Sequence, residues 1–263
     1  MSVAMATMSM TTRMMLSSPS FFVPGWPTPK NVGSLVTTRS GGVSQGAFSS
    51  LNLGAHVGDD PSAVAANRGR VVASVQGTPV WLSQVHGIVV FDAARFSDGD
   101  QPPEADASFS SKAGSVCAVM TADCLPVLFC DLAGSVVAAA HAGWRGLLAG
   151  VLDETIAAMG EPGRNLMAYL GPAIGPQAFE VGDEVRSAFV ALDEASVAAF
   201  KPLQPGKWLA DIYLLARQRL AGQEITRIYG GSFCTVSEPD RFFSYRRDGQ
   251  TGRMASMIWL DRS

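Results

Sequence analysis

Histidine is scarce in this chain: His56, His86 and His141 are the only three among 263 residues, so any imidazole chemistry must draw on them. Cysteine is nearly as sparse. Cys117, Cys124, Cys130 and Cys234 are too few for a disulfide scaffold at this length, and they include no C-x-x-C pair. That argues against a four-cysteine zinc site and a thioredoxin-type motif. Charged residues make up only 16 % and the formal net charge is −3, without the basic excess of a general nucleic-acid binder. The most apolar stretch, Ser115 to Trp144, is interrupted by Asp123, Pro126 and Asp131. It falls short of the ~18 uninterrupted apolar residues of a membrane helix. Residues Met1–Ser20 are broken by Ser and Thr and lack the apolar core of a secretory signal. We read 1–31 as a flexible extension and 32–263 as a single catalytic domain. With 47 % hydrophobic residues the chain buries a core. The expectation is a cytoplasmic, enzyme-sized protein with neither a membrane nor a nucleic acid as partner.

Short apolar runs dominate the middle of the chain. They predict strands at Val80–Gln84, Ile88–Phe91, Ala107–Ser110, Val116–Thr121, Pro126–Asp131 and Ser135–His141. Several are continuous rather than alternating, the pattern of sheets covered on both faces. Helical spacing of apolar residues predicts helices over Leu147–Met159, Asp183–Phe200 and Asp211–Ala221. Further strands are expected at Leu166–Leu170, Ile225–Tyr229 and Ala255–Leu260, with proline-bearing loops at Ser97–Ala105 and Lys201–Lys207. The result is a set of mixed sheets with helices outside.

Two of the three histidines and one cysteine fall at strand ends beside Gly or Pro: His86 in SQVHG, Cys124 in ADCLP and His141 in HAGWRG. Loops at strand ends are where sheet proteins gather functional groups. Two imidazoles and one thiolate suit zinc, and three protein ligands leave the fourth tetrahedral position open, the catalytic arrangement. The separations, 38 (124 − 86) and 17 (141 − 124) residues, match no short-range zinc motif. A Cys–His nucleophilic pair and three unrelated structural roles therefore stand beside the metal reading. Cys117 and Cys130, inside apolar strands, read as core thiols; Cys234 is either packed or pocket-lining.

The strings TTRSGGVS, SLNLGAHVGDD, SQVHG, TADCLPVLF, HAGWRG, GPAIGPQAFEVG and FFSYRRDGQTGRMAS run from about Val32 to Leu260. They resemble the YfiH-type family, also called the laccase-domain or multicopper polyphenol oxidase family. The resemblance implies an α+β fold, a four-layer α/β/β/α sandwich with mixed sheets, and a zinc site. Its His, Cys and His ligands carry over to His86, Cys124 and His141. It also implies purine nucleoside chemistry: phosphorolysis of adenosine, inosine, guanosine and methylthioadenosine, with adenosine deamination as a further activity. A cell-wall precursor amidase, a Cys–His hydrolase and a non-enzymatic metal-binding protein are alternatives. Copper-dependent phenol oxidation fits poorly, because three histidines cannot furnish several copper centres.

Phosphorolysis needs a phosphate site. Arg39, in a glycine-rich turn, and Arg145, just ahead of a predicted helix, are the leading candidates, with Arg246 and Arg247 behind them. Asp123 beside Cys124 is the nearest carboxylate for proton transfer or for orienting a ligand. Gln84 shares a strand face with His86 and, with His56, is a candidate substrate contact. Phe179, Phe242, Phe243 and Tyr245 are candidate stacking rings for a purine.

Overall fold

The computed structural model describes residues 20–97 and 99–262. A six-stranded sheet runs Arg227–Gly230, Leu166–Leu170, Leu125–Asp131, Val137–Ala142, Ala107–Ser110, Val90–Asp92, its two outermost pairs parallel and the rest antiparallel. A five-stranded sheet runs Phe21–Phe22, Val32–Thr37, Met254–Leu260, Ser115–Thr121, Thr78–Trp81, its last pair parallel. Glu180–Gly182, Lys207–Ala210 and Phe200–Gln204 form a small third sheet.

The continuous apolar runs have the expected cause, burial on both faces. In Leu125–Asp131, Leu125, Val127 and Phe129 face helices that include Val151–Met159 and Ile212–Gly222. Leu128 and Cys130 point the other way, onto Cys117, Val119, Ile258 and Leu260 of the five-stranded sheet. The outer face of that sheet, with Leu35, Met120 and Met257, is covered by Leu51, Leu53 and Val71 of the loop and helix ending at Val72. The layers are therefore α/β/β/α, as expected. Among the described residues no helix is long and apolar enough to cross a membrane.

Five details depart from the sequence reading. Residues 20–31 belong to the folded unit, so the domain boundary drawn at 32 cuts through it. Phe21 and Phe22 pair with Thr37 and Val36, and the Trp26 ring packs 5.8 Å from Tyr169. Residues 1–19 lie outside the described part. The helix expected over Leu147–Met159 is two, Trp144–Ala149 and Val151–Met159, parted at Gly150, whose φ of 106° is left-handed. The helix expected over Asp183–Phe200 stops at Leu192; Asp193 is extended and accepts a bond from Ala195 N–H, opening a 3₁₀ segment. The loop at Lys201–Lys207 is a hairpin whose turn is Pro205–Gly206, with Gly206 at φ 74°. The helix Pro61–Val72, which sequence periodicity did not pick out, starts on an Asp60 cap followed by proline.

Candidate metal centre and active site

Two chain crossings between the sheets meet at one place. Cys124 lies where the chain leaves the five-stranded sheet at Thr121 and enters the six-stranded sheet at Leu125. His86 lies on the segment from Trp81, the edge of the first sheet, to Val90, the edge of the second. His141 is within Val137–Ala142, on the same face as Val137 and Ala139, at the end of the inter-sheet core. Alternation thus aims its imidazole at the crossings.

One ligand atom from each of His86, Cys124 and His141 lies within 4.8 Å of the other two. Cys124 Sγ is 3.7 Å from His86 Nε2, and the imidazole centroids are 4.7 Å apart. Zinc bonds of ~2.0–2.1 Å to nitrogen and ~2.3 Å to sulfur span the 3.7 Å between Cys124 Sγ and His86 Nε2. The donor set therefore fits zinc. His86 is exposed, Cys124 half-buried and His141 buried, so the cluster opens on one side. Gly143 makes the close approach feasible: a Cβ there would lie 2.9 Å from His86 Cδ2 and 3.0 Å from Cys124 Sγ. Both His86 (φ 63°) and Asp123 (φ 89°) hold left-handed backbone, a strained choice for residues with side chains that concentrates at functional sites.

Asp106 holds this geometry. Its carboxylate, fully buried, accepts bonds from the backbone N–H groups of Val85, His86 and Gly87 at 3.1, 2.9 and 2.6 Å. It also accepts from His141 Nδ1 at 2.8 Å. One anion thus fixes the strained His86 turn and the His141 tautomer, leaving Nε2 for a metal. Burial alone would raise the Asp106 pKa, but His141 and the loop N–H groups hold it below the usual carboxylate range. Burial likewise opposes ionisation of Cys124, yet His141 and His86 bring its thiol down to about 6. His141 is displaced upward in turn, by Cys124 and Asp106 against its own burial. Without metal, each of Cys124 and His141 favours the charged form of the other.

The cluster forms one wall of a cavity of about 520 Å³, also lined by His56, Gln84, Asp123, Arg145, Phe179, Tyr245, Arg246 and Arg253. Most of the sequence candidates converge there, but their side chains differ in what they are free to do. Gln84 is spent on the backbone of Met120, donating to its carbonyl at 2.8 Å and accepting its N–H at 2.7 Å. Asp123 accepts from Thr235 Oγ1 and Arg246 N–H, both at 2.6 Å, so it ties two loops together and touches neither histidine. Arg145 is exposed, its guanidinium 4.5 Å from the Trp144 ring centroid. Arg246 donates to the Glu180 carbonyl at 3.0 Å.

Arg39 is not among the lining residues. It donates to the carbonyls of Ser49 and Pro239, at 3.2 and 2.9 Å, and lies over the Phe243 ring. Arg247 binds Asp248 and the carbonyls of Thr235, Val236 and Phe242, a pin for its loop. Phe242 and Phe243 are fully buried, leaving Phe179 and Tyr245 as the candidate rings that line the cavity. Cys234 lines a second cavity, of about 460 Å³, and accepts bonds from Gly175 N–H and Ser237 Oγ, both at 3.3 Å. Cys117 and Cys130 are core thiols that burial pushes up to about 12. Sequence reasoning missed Asp106 and Arg253. An acidic residue directly before an apolar strand (Asp106–Ala107) and an arginine inside the matched GQTGRMAS string were the available signals.

Residues 33–261 match the family model described as multi-copper polyphenol oxidoreductase laccase. The chain is 55 % identical over 242 residues to a purine nucleoside phosphorylase of Pseudomonas aeruginosa, covering 92 % of this chain and 98 % of that one. It is 57 % identical over 241 residues to the purine nucleoside phosphorylase YfiH of Escherichia coli K12, covering 90 % and 98 %. The crystal structure of a Neisseria meningitidis protein of the DUF152 family superposes with a TM-score of 0.90 at 56 % identity, covering 92 % of this chain and all of that one. The sequence motifs, the four-layer fold and these matches agree: the chain belongs to the YfiH-type, laccase-domain family.

Proposed function

We propose that this chain is a zinc-dependent purine nucleoside phosphorylase acting on adenosine, inosine, guanosine or methylthioadenosine. The observation that carries the reading is the His86–Cys124–His141 cluster opening into a cavity whose charged lining is predominantly arginine. About 520 Å³ is within the usual range for small-molecule sites. Arg145, Arg246 and Arg253 give it a cationic field suited to an anionic co-substrate, while its one acidic side chain, Asp123, is engaged by the Thr235 hydroxyl and the Arg246 backbone N–H. Phe179 and Tyr245 offer ring faces to a purine; Tyr245, 62 % exposed, stands at the solvent side. The relatives named as purine nucleoside phosphorylases support the same assignment.

A zinc ion held by His86, Cys124 and His141 would supply Lewis acidity toward a substrate oxygen. The protein's own part is positional. Asp106 keeps His141 and His86 in register, the aromatic walls orient the base, and the arginines bind negative charge. The family's copper-oxidase description has no counterpart in this chain's composition. Only three histidines exist, and the described residues hold one His–Cys–His group.

The test is to incubate metal-analysed protein with adenosine, with and without phosphate, and to follow adenine, ribose 1-phosphate and inosine. Adenine and ribose 1-phosphate formed only with phosphate are the expected products. Inosine formed without phosphate would instead assign deamination. Neither product, with stoichiometric zinc bound, refutes the nucleoside reading and turns attention to cell-wall amide substrates. Activity that survives complete metal removal and is abolished by alkylating Cys124 would favour a Cys–His hydrolase.

A further inference from the structure

The cavity's three arginines are not equivalent. Arg145 and Arg246 are both exposed, the first over the Trp144 ring and the second over the Phe179 ring. Arg253 is half-buried, and among the described residues it pairs with no carboxylate. Its Nη1 donates to the carbonyls of Thr251 and Gly252, at 2.9 and 3.0 Å, which leaves Nε and Nη2 as a donor fork. His56 lines the same cavity. Burial lowers the pKa of its imidazole, and Arg253, Arg68 and His141 lower it further. Arg253 and His56 thus share a corner of the cavity in which the guanidinium feels Asp123 and Cys124 at a distance but forms an ion pair with neither.

That corner is built rather than incidental. A Cβ on Gly54 would lie 2.8 Å from Arg253 Cγ, so glycine two residues before His56 makes room for the arginine stem. Fully buried Asn52 accepts from the N–H groups of both Gly54 and Arg253, each at 2.9 Å, although Asn52 and Arg253 are 201 residues apart. Asn67, also fully buried, donates to the Asn52 carbonyl at 2.9 Å. These amides hold the backbone of the His56 loop against the segment that leads into the strand Met254–Leu260.

We propose that Arg253 and His56 form the oxyanion subsite of this cavity, binding inorganic phosphate as co-substrate. The assignment rests on the phosphorylase reading. The planar guanidinium fork matches two phosphate oxygens and the imidazole N–H a third. Phosphate held there presents an oxygen to C1′ of the ribose. The new C1′–O bond forms as the C1′–N9 bond breaks; its electron pair leaves with the purine, and the proton lost by hydrogen phosphate ends on the base. No oxidant or reductant is needed.

The test uses the full-length, zinc-loaded protein and its Arg253→Gln, Arg253→Lys and His56→Ala variants, each checked for zinc content and circular dichroism. A hydrogen bond to a charged group is worth about 1.5–3 kcal/mol. The KM for phosphate should therefore rise roughly 10- to 100-fold in Arg253→Gln, less in His56→Ala, and partly recover in Arg253→Lys, with the KM for nucleoside little changed. An unchanged phosphate KM in both Arg253→Gln and His56→Ala, with turnover intact, overturns the subsite while the phosphorylase reading stands. Calorimetric titration with inorganic phosphate separates the reverse case. Phosphate binding that is lost in Arg253→Gln, in a protein that never cleaves nucleosides, keeps the subsite and refutes the reaction. Equal binding to native protein and variant, or displacement of phosphate by adenosine, refutes the subsite.

Discussion

Replacing Asp106 by asparagine tests how far one buried carboxylate organises the metal centre. The native side chain accepts four bonds, Oδ1 from His86 N–H and His141 Nδ1, Oδ2 from Val85 and Gly87 N–H. Asparagine keeps the shape but one acceptor oxygen, so two of these four donors would face an amide NH₂. Each buried donor left unsatisfied costs about 1–3 kcal/mol, which puts the destabilisation at about 2–6 kcal/mol. For a domain of this size that is a fall in Tm of roughly 5–20 °C. The His86 turn, with its φ of 63°, loses the anion that holds it, and His141 loses the partner that fixes its tautomer. Zinc affinity should drop ~10- to 100-fold, the usual effect of removing a residue that orients a ligand. Urea unfolding in chelator measures the first effect, and competition with a chromophoric zinc chelator measures the second. A variant with unchanged unfolding midpoint and unchanged zinc affinity would show that the four hydrogen bonds do not position the site, and the reasoning would fail.

Three further outcomes are expected. Gly143→Ala, at a backbone φ of −60° that alanine accepts, should fold normally yet weaken zinc binding on the order of tenfold, because its Cβ would crowd His86 and Cys124; the chelator competition checks this. In chelator-treated protein at pH 7, iodoacetamide should modify Cys124, held at about 6 by the two imidazoles against its burial, and spare Cys117 and Cys130, which burial pushes up to about 12. Zinc should protect Cys124 from the reagent, and peptide mass mapping reads out the sites. Asp131 is the pH probe. Burial opposes its ionisation, but the N–H groups of Val136 and Ser135 and the Ser135 hydroxyl depress its pKa. Its contribution is therefore fully present above the unfolded-state value near ~3.9 and is lost as pH falls through the lower folded value. Asp131→Asn should be less stable at neutral pH by about 1–3 kcal/mol and show a flatter acid limb in urea midpoints from about pH 5 downward. Parallel acid limbs for the two proteins would count against the assignment.

Local patterning made much of the fold legible. Ala107–Ser110 and Leu166–Leu170 appear where apolar runs placed them, and Leu125–Asp131 within a residue, because two-sided burial leaves a continuous apolar signature. Helix ends were less legible. Gly150 stands inside an otherwise periodic stretch, and periodicity does not reveal a left-handed φ. Phe200 continues an apolar spacing, although the chain there has already turned into a strand. The clustering of His86, Cys124 and His141 was legible because imidazole and thiol are rare here and sit in distinctive motifs. Arg39 looked like an anion ligand because its turn is glycine-rich, but its guanidinium is consumed by the carbonyls of Ser49 and Pro239. Pro239 lies 200 residues away, beyond the reach of a local pattern.

By itself the sequence determined which donor atoms exist and what they suit: two imidazoles and a thiolate for zinc, too few histidines for several coppers, and apolar runs that require covered sheets. Only the tertiary structure decided which polar groups remain available for chemistry. Asp123 and Gln84 lie in the cavity but are occupied by backbone and hydroxyl partners, whereas Asp106 and Arg253 take working positions that no local spacing announces. The physical reason is that a buried polar group is defined by its partners. In this fold those partners come from crossings between two sheets, from segments as far apart as Asn52 and Arg253.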